Sequence, residues 1–422
     1  MTQTQSRKKN LFQMNVDLMH GPIFRSLVLF MLPILISNLF QQLYNTVDTM
    51  IVGNVLGDTA LAAIGSCGAI YELLVGFGLG IGNGLAIVAA RAYGAQDENL
   101  LKRTVAGSLV IGLVASLTIT TAGFFGLRPL LELLDTPAEI LEDAYRYIII
   151  IDLGVIVMFA YNLCAGLLRA IGNSFMPLVF LILSSVLNVI LDLWFIAALG
   201  MGVAGAAIAT VVSQLGSGVL CVWYMRKHFA VLRMEKDDWR LRKAEALRLL
   251  GMGVPVGLQF SITAIGSVML QSAVNSLGAV CVSGVAVASK IYMLLCCPFD
   301  ALAMAATNFT GQNLGAGKYD RIRQGTYACL LLGIIYCAIY IVIARFGTQY
   351  LVLLFMNADE AQSVLDYTQR ISYAYAYGTP LLLGVNVFRL SIQGMGYGRL
   401  SLISGLLEMI ARTAVGLSLI HI

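Results

Sequence analysis

The sequence predicts an all-α integral membrane protein built from two homologous helical-bundle lobes, and three observations carry that prediction. Of 422 residues 59% are hydrophobic and only 12% are charged, with a mean hydropathy of +0.82, too little polar surface for a water-soluble shell. Apolar runs of about 20 to 30 residues recur along the chain, each long enough to cross a bilayer with some tilt. The chain is also written twice. Gly94-Ala95-Gln96-Asp97, followed by Lys102, Arg103 and Thr104, returns as Gly315-Ala316-Gly317-Lys318, followed by Arg321, Arg323 and Thr326. The same offset of 221 residues carries Leu56-Gly57 onto Leu277-Gly278 and Gly112 onto Gly333, and Pro33 meets Pro255 with one residue of slippage.

The elements follow in order. The N-terminus is polar up to Asn15, and the first apolar run is far longer than the hydrophobic stretch of a signal peptide, so it is expected to stay in the membrane as a helix. The first lobe, residues 1–226, holds six spans at 24–52, 61–90, 104–126, 140–166, 175–198 and 203–226. A polar linker, 227–246, divides the halves, and its Asp237-Asp238-Trp239 reads as a helix start leading into an interfacial amphipathic piece. The second lobe, 247–422, holds five more at 247–276, 280–308, 322–346, 364–390 and 400–420, about eleven transmembrane helices in all. Arg169 to Gly172 maps onto Gln393 to Gly396, so the counterpart of the sixth span would begin near residue 427. The expectation is therefore a second copy lacking its last helix, and a sequence that is a fragment of a longer chain.

Cationic residues alternate between the loops. Arg7, Lys8 and Lys9 precede the first span; Arg91, Lys102 and Arg103 follow the second; Arg169 follows the fourth. Arg226, Lys227, Arg240, Arg242 and Lys243 follow the sixth, Lys318, Arg321 and Arg323 the eighth, and Arg399 the tenth. The intervening loops carry Asp58, Glu132, Asp135, Glu139, Glu142, Asp143, Asp359 and Glu360, with Arg128 the main exception. By the excess of Lys and Arg on the inner face, the N-terminus is cytoplasmic. Net charge is +4, and the basic residues orient the chain rather than bind nucleic acid. The eight cysteines all fall in apolar runs with no CxxC or Cys/His spacing and read as small packing residues. His20, His228 and His421 are too scattered to form a zinc site or a general base.

A carboxylate at the centre of a membrane helix costs about 2.5–3.5 kcal/mol on insertion scales, so such residues are the default functional candidates. Asp48 is the first, near the outer end of the first span, on a stripe with Gln41, Tyr44 and Asn45 that suits a wetted interior face. Asp192 is the second, four residues after Asn188 on one face of the fifth span. Thr210, on the sixth span, lies at a similar depth, about 10 Å below the outer surface at 1.5 Å per residue. Two carboxylates, an amide oxygen and a hydroxyl are hard ligands for a small cation such as Na⁺, or a carboxyl pair sharing one proton. The alternative is that Asn188 and Asp192 satisfy each other and tie helices together. Glu72, Asp152, Lys290 and Asp300 also lie within spans, each as a candidate for a substrate cavity or for pairing across a helix interface. Lys290 reads as the one Lys or Arg well inside a span. Glu408 and Arg412, four apart in the eleventh span, read as a structural pair. Tyr367, Tyr373, Tyr375 and Tyr377 on the tenth span could face an organic cation or serve as interfacial anchors.

These residues, with Gly172-Asn173-Ser174-Phe175-Met176-Pro177, the small-residue run from Gly202 to Ala207 and Gly311-Gln312-Asn313-Leu314-Gly315-Ala316-Gly317, resemble the multidrug and toxic compound extrusion (MATE) family of cation-coupled antiporters over about residues 20–415. The resemblance implies an N-lobe cation or proton site at Asp48, Asn188, Asp192 and Thr210, with Tyr44 and Gln41 lining the same cavity. Other family members carry carboxylates in the seventh and tenth spans. Here the seventh offers only Gln259, Gln271 and Asn275, and the tenth has Asp366 only at its outer end, so no second cation site is expected in the C-lobe.

The expected function is export of amphipathic, often cationic organic compounds or drugs by Na⁺- or H⁺-coupled antiport with alternating access. A monomer in a prokaryotic plasma membrane is expected, with a small-molecule substrate and lipid as partners and no cofactor beyond the coupling ion. A lipid or lipid-linked oligosaccharide flippase of related architecture is the alternative, and it would want a strongly cationic cavity. A membrane-embedded enzyme would need clustered nucleophiles, histidines or metal ligands, which the sequence does not bring together.

Overall fold

The computed structural model describes residues 15–275, 279–356 and 358–421. Arg7, Lys8, Lys9 and Leu277-Gly278, and the side chains of Gln271, Asn275, Asp359 and His421, lie outside the described residues. The helices run in order as α1 (Ile23–Leu56), α2 (Asp58–Ser66), α3 (Gly68–Gly94), α4 (Glu98–Leu133), α5 (Ala138–Leu153), α6 (Val155–Ala170), α7 (Phe175–Asp192) and α8 (Gly202–His228). The second set is α9 (Lys243–Asn275), α10 (Ala279–Gly315), α11 (Tyr319–Leu351), α12 (Ala358–Gly394) and α13 (Gly398–His421). Over its described residues every expected span is helical. Among the described residues eight helices are individually long and apolar enough to cross a membrane, and the bent pair α5–α6 makes a ninth. The segments α12 and α13 fall outside that count. They pack along α10, α11 and α9 and carry the charged cluster described below. Large apolar side chains such as Phe125, Phe346 and Leu381 point outward, as they do where lipid replaces water.

Two expected spans are not single helices. The second is divided at Cys67 into α2 and α3, and the fourth bends by 47° at Gly154. The reason at Gly154 is steric: a Cβ there would collide with Val211 of α8, so the missing side chain lets α8 press into the corner. The linker also departs from expectation. In place of an amphipathic helix, residues between α8 and α9 form two 3₁₀ turns, Ala230–Leu232 and Lys236–Trp239, the second closed by a reciprocal cap between Glu235 and Asp238. Leu232 is buried in the first lobe's core with Val231, Met234 and Leu241 packed against it, so the apolar residues that would have faced lipid are consumed by that lobe. All eight cysteines are free thiols and seven are buried, in keeping with packing roles.

The lobes interlock at their first helices. Leu18, Leu27, Phe30 and Ile34, from the strap before α1 and the first half of α1, belong to the buried core formed by Phe299, Phe309 and Tyr340 of the second lobe. Reciprocally, Leu249 of α9 joins the first lobe's core, and Met252 and Val256 pack on Ile87 of α3. The backbones of α3 and α9 approach so closely that a Cβ on Gly80 would lie 2.6 Å from Cα of Gly257.

The strap itself bridges the lobes. Val16 N–H donates to the Gly172 carbonyl at 2.9 Å on one side. On the other, Asn313 Nδ2 and the Arg321 guanidinium donate to the Leu18 carbonyl at 3.1 and 3.2 Å, and Lys318 Nζ donates to that of Met19 at 3.0 Å. Leu18 is wholly buried. The segment before α9 mirrors this on the first lobe: Lys102 and Arg103 pair with Glu235 and Glu245 at 3.4 Å, and Leu241 fills the space over Gly107.

Candidate functional site

Four helices bring the polar stripe of the first lobe together. Asp48 comes from α1, Asn188 and Asp192 from the last turns of α7, Thr210 from α8 and Tyr71 from α3. The stripe Gln41-Tyr44-Asn45-Asp48 lies in the outer half of α1, past the half that is rooted in the second lobe. Directly after Asp192 the helix widens into a π-helical turn, Leu193–Ala198, a local insertion of the kind that accumulates at functional positions. Ile196 of that turn is buried with Val203 and Ala206, so α7 is anchored to α8 on both sides of the carboxylate.

The geometry is compact. With its amide turned to satisfy both ends, Asn188 donates to Asp192 Oδ2 at 2.7 Å and accepts from the Thr210 backbone N–H at 3.2 Å. The Thr210 hydroxyl donates to the Ala206 carbonyl at 3.1 Å, and the Tyr44 hydroxyl lies near it. The carboxyls of Asp48 and Asp192 are themselves within hydrogen-bonding reach of each other. Asp192 and Asn188 are buried, and one oxygen of each carboxyl, Oδ1 of Asp48 and Oδ1 of Asp192, is sealed from solvent without a donor. A carboxylate only accepts, so two of them in contact require either a shared proton or a cation between them. The alternative in which Asn188 and Asp192 merely satisfy each other does not cover this arrangement, because Asp192 has an oxygen to spare and Asp48 faces it.

The other sequence candidates fall elsewhere. Gln41 is half-buried and Asn45 exposed on α1; Glu72 is exposed on α3. Asp152 stands apart. It is fully buried at the end of α5 beneath Gly123 of α4, with neither carboxylate oxygen bonded. Lys290 is exposed on α10, 5.8 Å from the centre of the Phe355 ring. Asp300, also on α10, is exposed and in electrostatic reach of Arg389. Two residues that the sequence does not single out lie in electrostatic reach of the site: Tyr71 is in reach of Asp48, and Tyr147 of α5 in reach of Tyr71, Asp48 and Tyr44. The only signal either gives in sequence is a phenol inside an apolar run. One reading is corrected. Lys290 is not the one cation inside a span, since Arg389 and Arg412 lie between α9, α12 and α13, both bonded to Glu408.

A family model named MatE matches the chain twice, over residues 33–194 and 255–417. The chain belongs to the MatE family. Its internal duplication is thus the MatE unit in tandem, the two matches starting 222 residues apart. Among its relatives is the probable multidrug resistance protein YpnP of Bacillus subtilis, 32% identical over 375 residues, covering 88% of this chain and 82% of that one. A protein named FAD transporter from Shewanella oneidensis is 25% identical over 358 residues, covering 83% and 78%. The fold is that of a multidrug resistance MATE family transporter of the MOP superfamily solved in an outward-facing conformation, with a TM-score of 0.85 at 23% identity over 97% of this chain and 98% of that one. The chain is a multi-pass membrane transporter of the MatE family.

Proposed function

We propose that the chain exports amphipathic, often cationic organic compounds across a prokaryotic plasma membrane in exchange for Na⁺ or H⁺, by alternating access. The ion would be held between Asp48 and Asp192, with Asn188 and Thr210 completing the oxygen set. What carries the reading is the carboxyl pair, each with a sealed oxygen lacking a donor. Such a site binds a small cation or a proton, and ion occupancy changes which arrangement of the lobes is favoured through its different affinity for the two. The names of relatives, several of them multidrug resistance proteins, support the substrate class. A flippase of lipid-linked pyrophosphates gains no support from Arg389 and Arg412, because Glu408 binds both.

The test is efflux from proteoliposomes with Na⁺ and pH gradients imposed separately. Asp48→Asn and Asp192→Asn should each abolish ion-driven efflux while the protein still inserts. Full transport by either variant at normal protein levels would sink the assignment.

A further inference from the structure

The outward stripe of α8 changes chemistry toward its C-terminal end. Leu215, Val219, Val222, Trp223, Arg226 and Lys227 fall on one face at helical spacing, and all are exposed. Apolar side chains suited to lipid give way to an indole and then, within one turn, to two cations. Tryptophan collects at the headgroup level of a membrane, so the turn that follows it lies among the lipid phosphates. Lys227 folds back over that indole, its Nζ 4.7 Å from the ring centre, which holds the ammonium at the same level. Arg233, from the linker, donates to the carbonyls of Arg226 and Lys227 and so closes the helix end beneath both side chains.

The start of α9 repeats the order in reverse. Trp239 is exposed just ahead of it, Lys243 opens it, and Leu247, Leu250 and Val254 follow on one exposed stripe. Residues 226–248 hold eight Lys or Arg against four acids, and the fold engages three of those acids with the protein itself. Glu235 pairs with Lys102 and Glu245 with Arg103, each at 3.4 Å, and both cations belong to α4. Asp238 is buried and accepts from the Glu235 N–H at 2.7 Å. The linker cations Lys236, Arg240, Arg242 and Lys243 are exposed and have no ion pair among the described residues. A belt of free positive charge thus runs from the end of α8 to the start of α9, with a tryptophan near each end.

We propose that this rim is a binding site for anionic phospholipid headgroups, with Arg226 and Lys227 beside Trp223 taking the phosphodiester and Arg240, Arg242 and Lys243 extending the site to α9. A membrane partner fits better than a soluble polyanion because the cations continue stripes that are apolar and outward-facing on both helices. The inference stands apart from the proposed ion site. Since α8 closes the first lobe and α9 opens the second, lipid held on this rim touches the chain where one lobe passes into the other.

The experiment uses the purified full chain in a neutral detergent, with phosphatidylglycerol as the probe and phosphatidylcholine as its uncharged control. A ligand that binds only the folded state raises stability with its concentration, and native mass spectrometry counts the lipid directly. Phosphatidylglycerol should bind saturably and raise the melting temperature beyond what phosphatidylcholine gives. Arg226→Gln/Lys227→Gln should weaken that binding about 10- to 30-fold, the effect of removing two cations from an anionic surface. Arg323→Gln/Arg399→Gln removes the same charge from exposed positions of the second lobe and should leave the affinity unchanged. Equal affinity in the parent and in Arg226→Gln/Lys227→Gln overturns the proposal, and so does an equal loss in both double variants. Should the end of α8 fail to fold in the first variant, Arg240→Gln/Arg242→Gln tests the other half of the rim, and unchanged affinity there overturns it likewise. Glycerol phosphate and a short oligonucleotide separate the sources of the anion. Either of them binding as tightly as the lipid, and indifferently to Trp223→Ala, would make the rim a general polyanion surface and overturn the lipid assignment.

Discussion

Asp152 shows how a single missing methyl shapes this membrane protein. A fully buried carboxyl without a bonding partner is tolerated there because Gly123 leaves it room, and a Cβ would run into it. Gly123→Ala should therefore destabilise the protein by about 1–3 kcal/mol through overpacking. Asp152→Ala should cost little, and should rescue Gly123→Ala, since it removes an unbonded polar group as well as the obstruction. Thermal unfolding of the two single variants and the double in one detergent is the check; additive losses would refute the steric account. At the proposed ion site, Asn188→Leu removes a bond to a charged group worth about 1.5–3 kcal/mol, so ion affinity should fall roughly 10- to 100-fold while the carboxyl pair stays in place. Isothermal titration with Na⁺ and with acid would measure it, and unchanged affinity for both would exclude a role for the amide. These residues are legible in the sequence to unequal degrees. Asp48 and Asp192 stand out because a charge in an apolar run is costly wherever it points. Tyr71 and Tyr147 do not, since a tyrosine costs little and its meaning comes from a partner on another helix. Arg389 falls at the very end of its apolar run, and only the fold brings it to Glu408.

The strap before α1 is an element whose importance its length conceals. Leu18 has no exposed surface, and Leu18→Ala should cost about 2–5 kcal/mol as a buried large-to-small change. Arg321→Gln should loosen the same segment, because the guanidinium donates to the carbonyls of both Leu18 and Gly21. Protease susceptibility between residues 15 and 22 is the readout, and equal protection in parent and variants would count against the strap's anchoring. Acid offers a second handle. Burial pushes the Asp17 carboxyl upward, but backbone N–H groups of His20 and Met19 donate to it at 2.9 Å and hold it below the ordinary carboxylate range. A depressed carboxyl stabilises the fold above its unfolded pKa near 3.8 and loses that contribution as pH falls through the lower folded value. Strap protection by hydrogen exchange should thus be flat from about pH 5 upward. At this scale the sequence is a good guide to where helices are and a poor one to where they break. Spans follow from length and hydropathy, whereas the corner at Gly154 depends on Val211 pressing in from α8, and with 42 glycines in the chain no single one announces a bend.

For the whole molecule, the duplication, the span order and the two lobes are all visible in sequence, because repeats and hydropathy are read along the chain. The exchange of first helices is not, because it concerns which half packs on which. At the end that carries the strap the lobes meet backbone to backbone: a Cβ on Gly94 would collide with the Gln312 carbonyl, and one on Gly315 with that of Arg91. Gly94→Val should hold this end apart and, on the proposed alternating-access cycle, depress efflux severely while sparing insertion. Paired spin labels on cysteines placed at the exposed positions Glu98 and Tyr319 should report longer distances in the variant; an unchanged distribution would mean that this contact does not hold the lobes together.

The shared helix α1 has a mechanical consequence. Its first half is cemented among Phe299, Phe309 and Tyr340, while its far half delivers Asp48 to α7. Pro33, with no N–H to give, interrupts the helix ladder inside the rooted half, with Phe30 before it and Ile34 after it both buried in the second lobe. Neither half of the duplication can swing without either dragging or flexing a helix rooted in the other. On the proposed ion site, an ion drawn between Asp48 and Asp192 would tug on one end of a covalent rod whose opposite end is set in the facing bundle, and occupancy would be felt there as tension along the chain rather than as a signal passed across an interface.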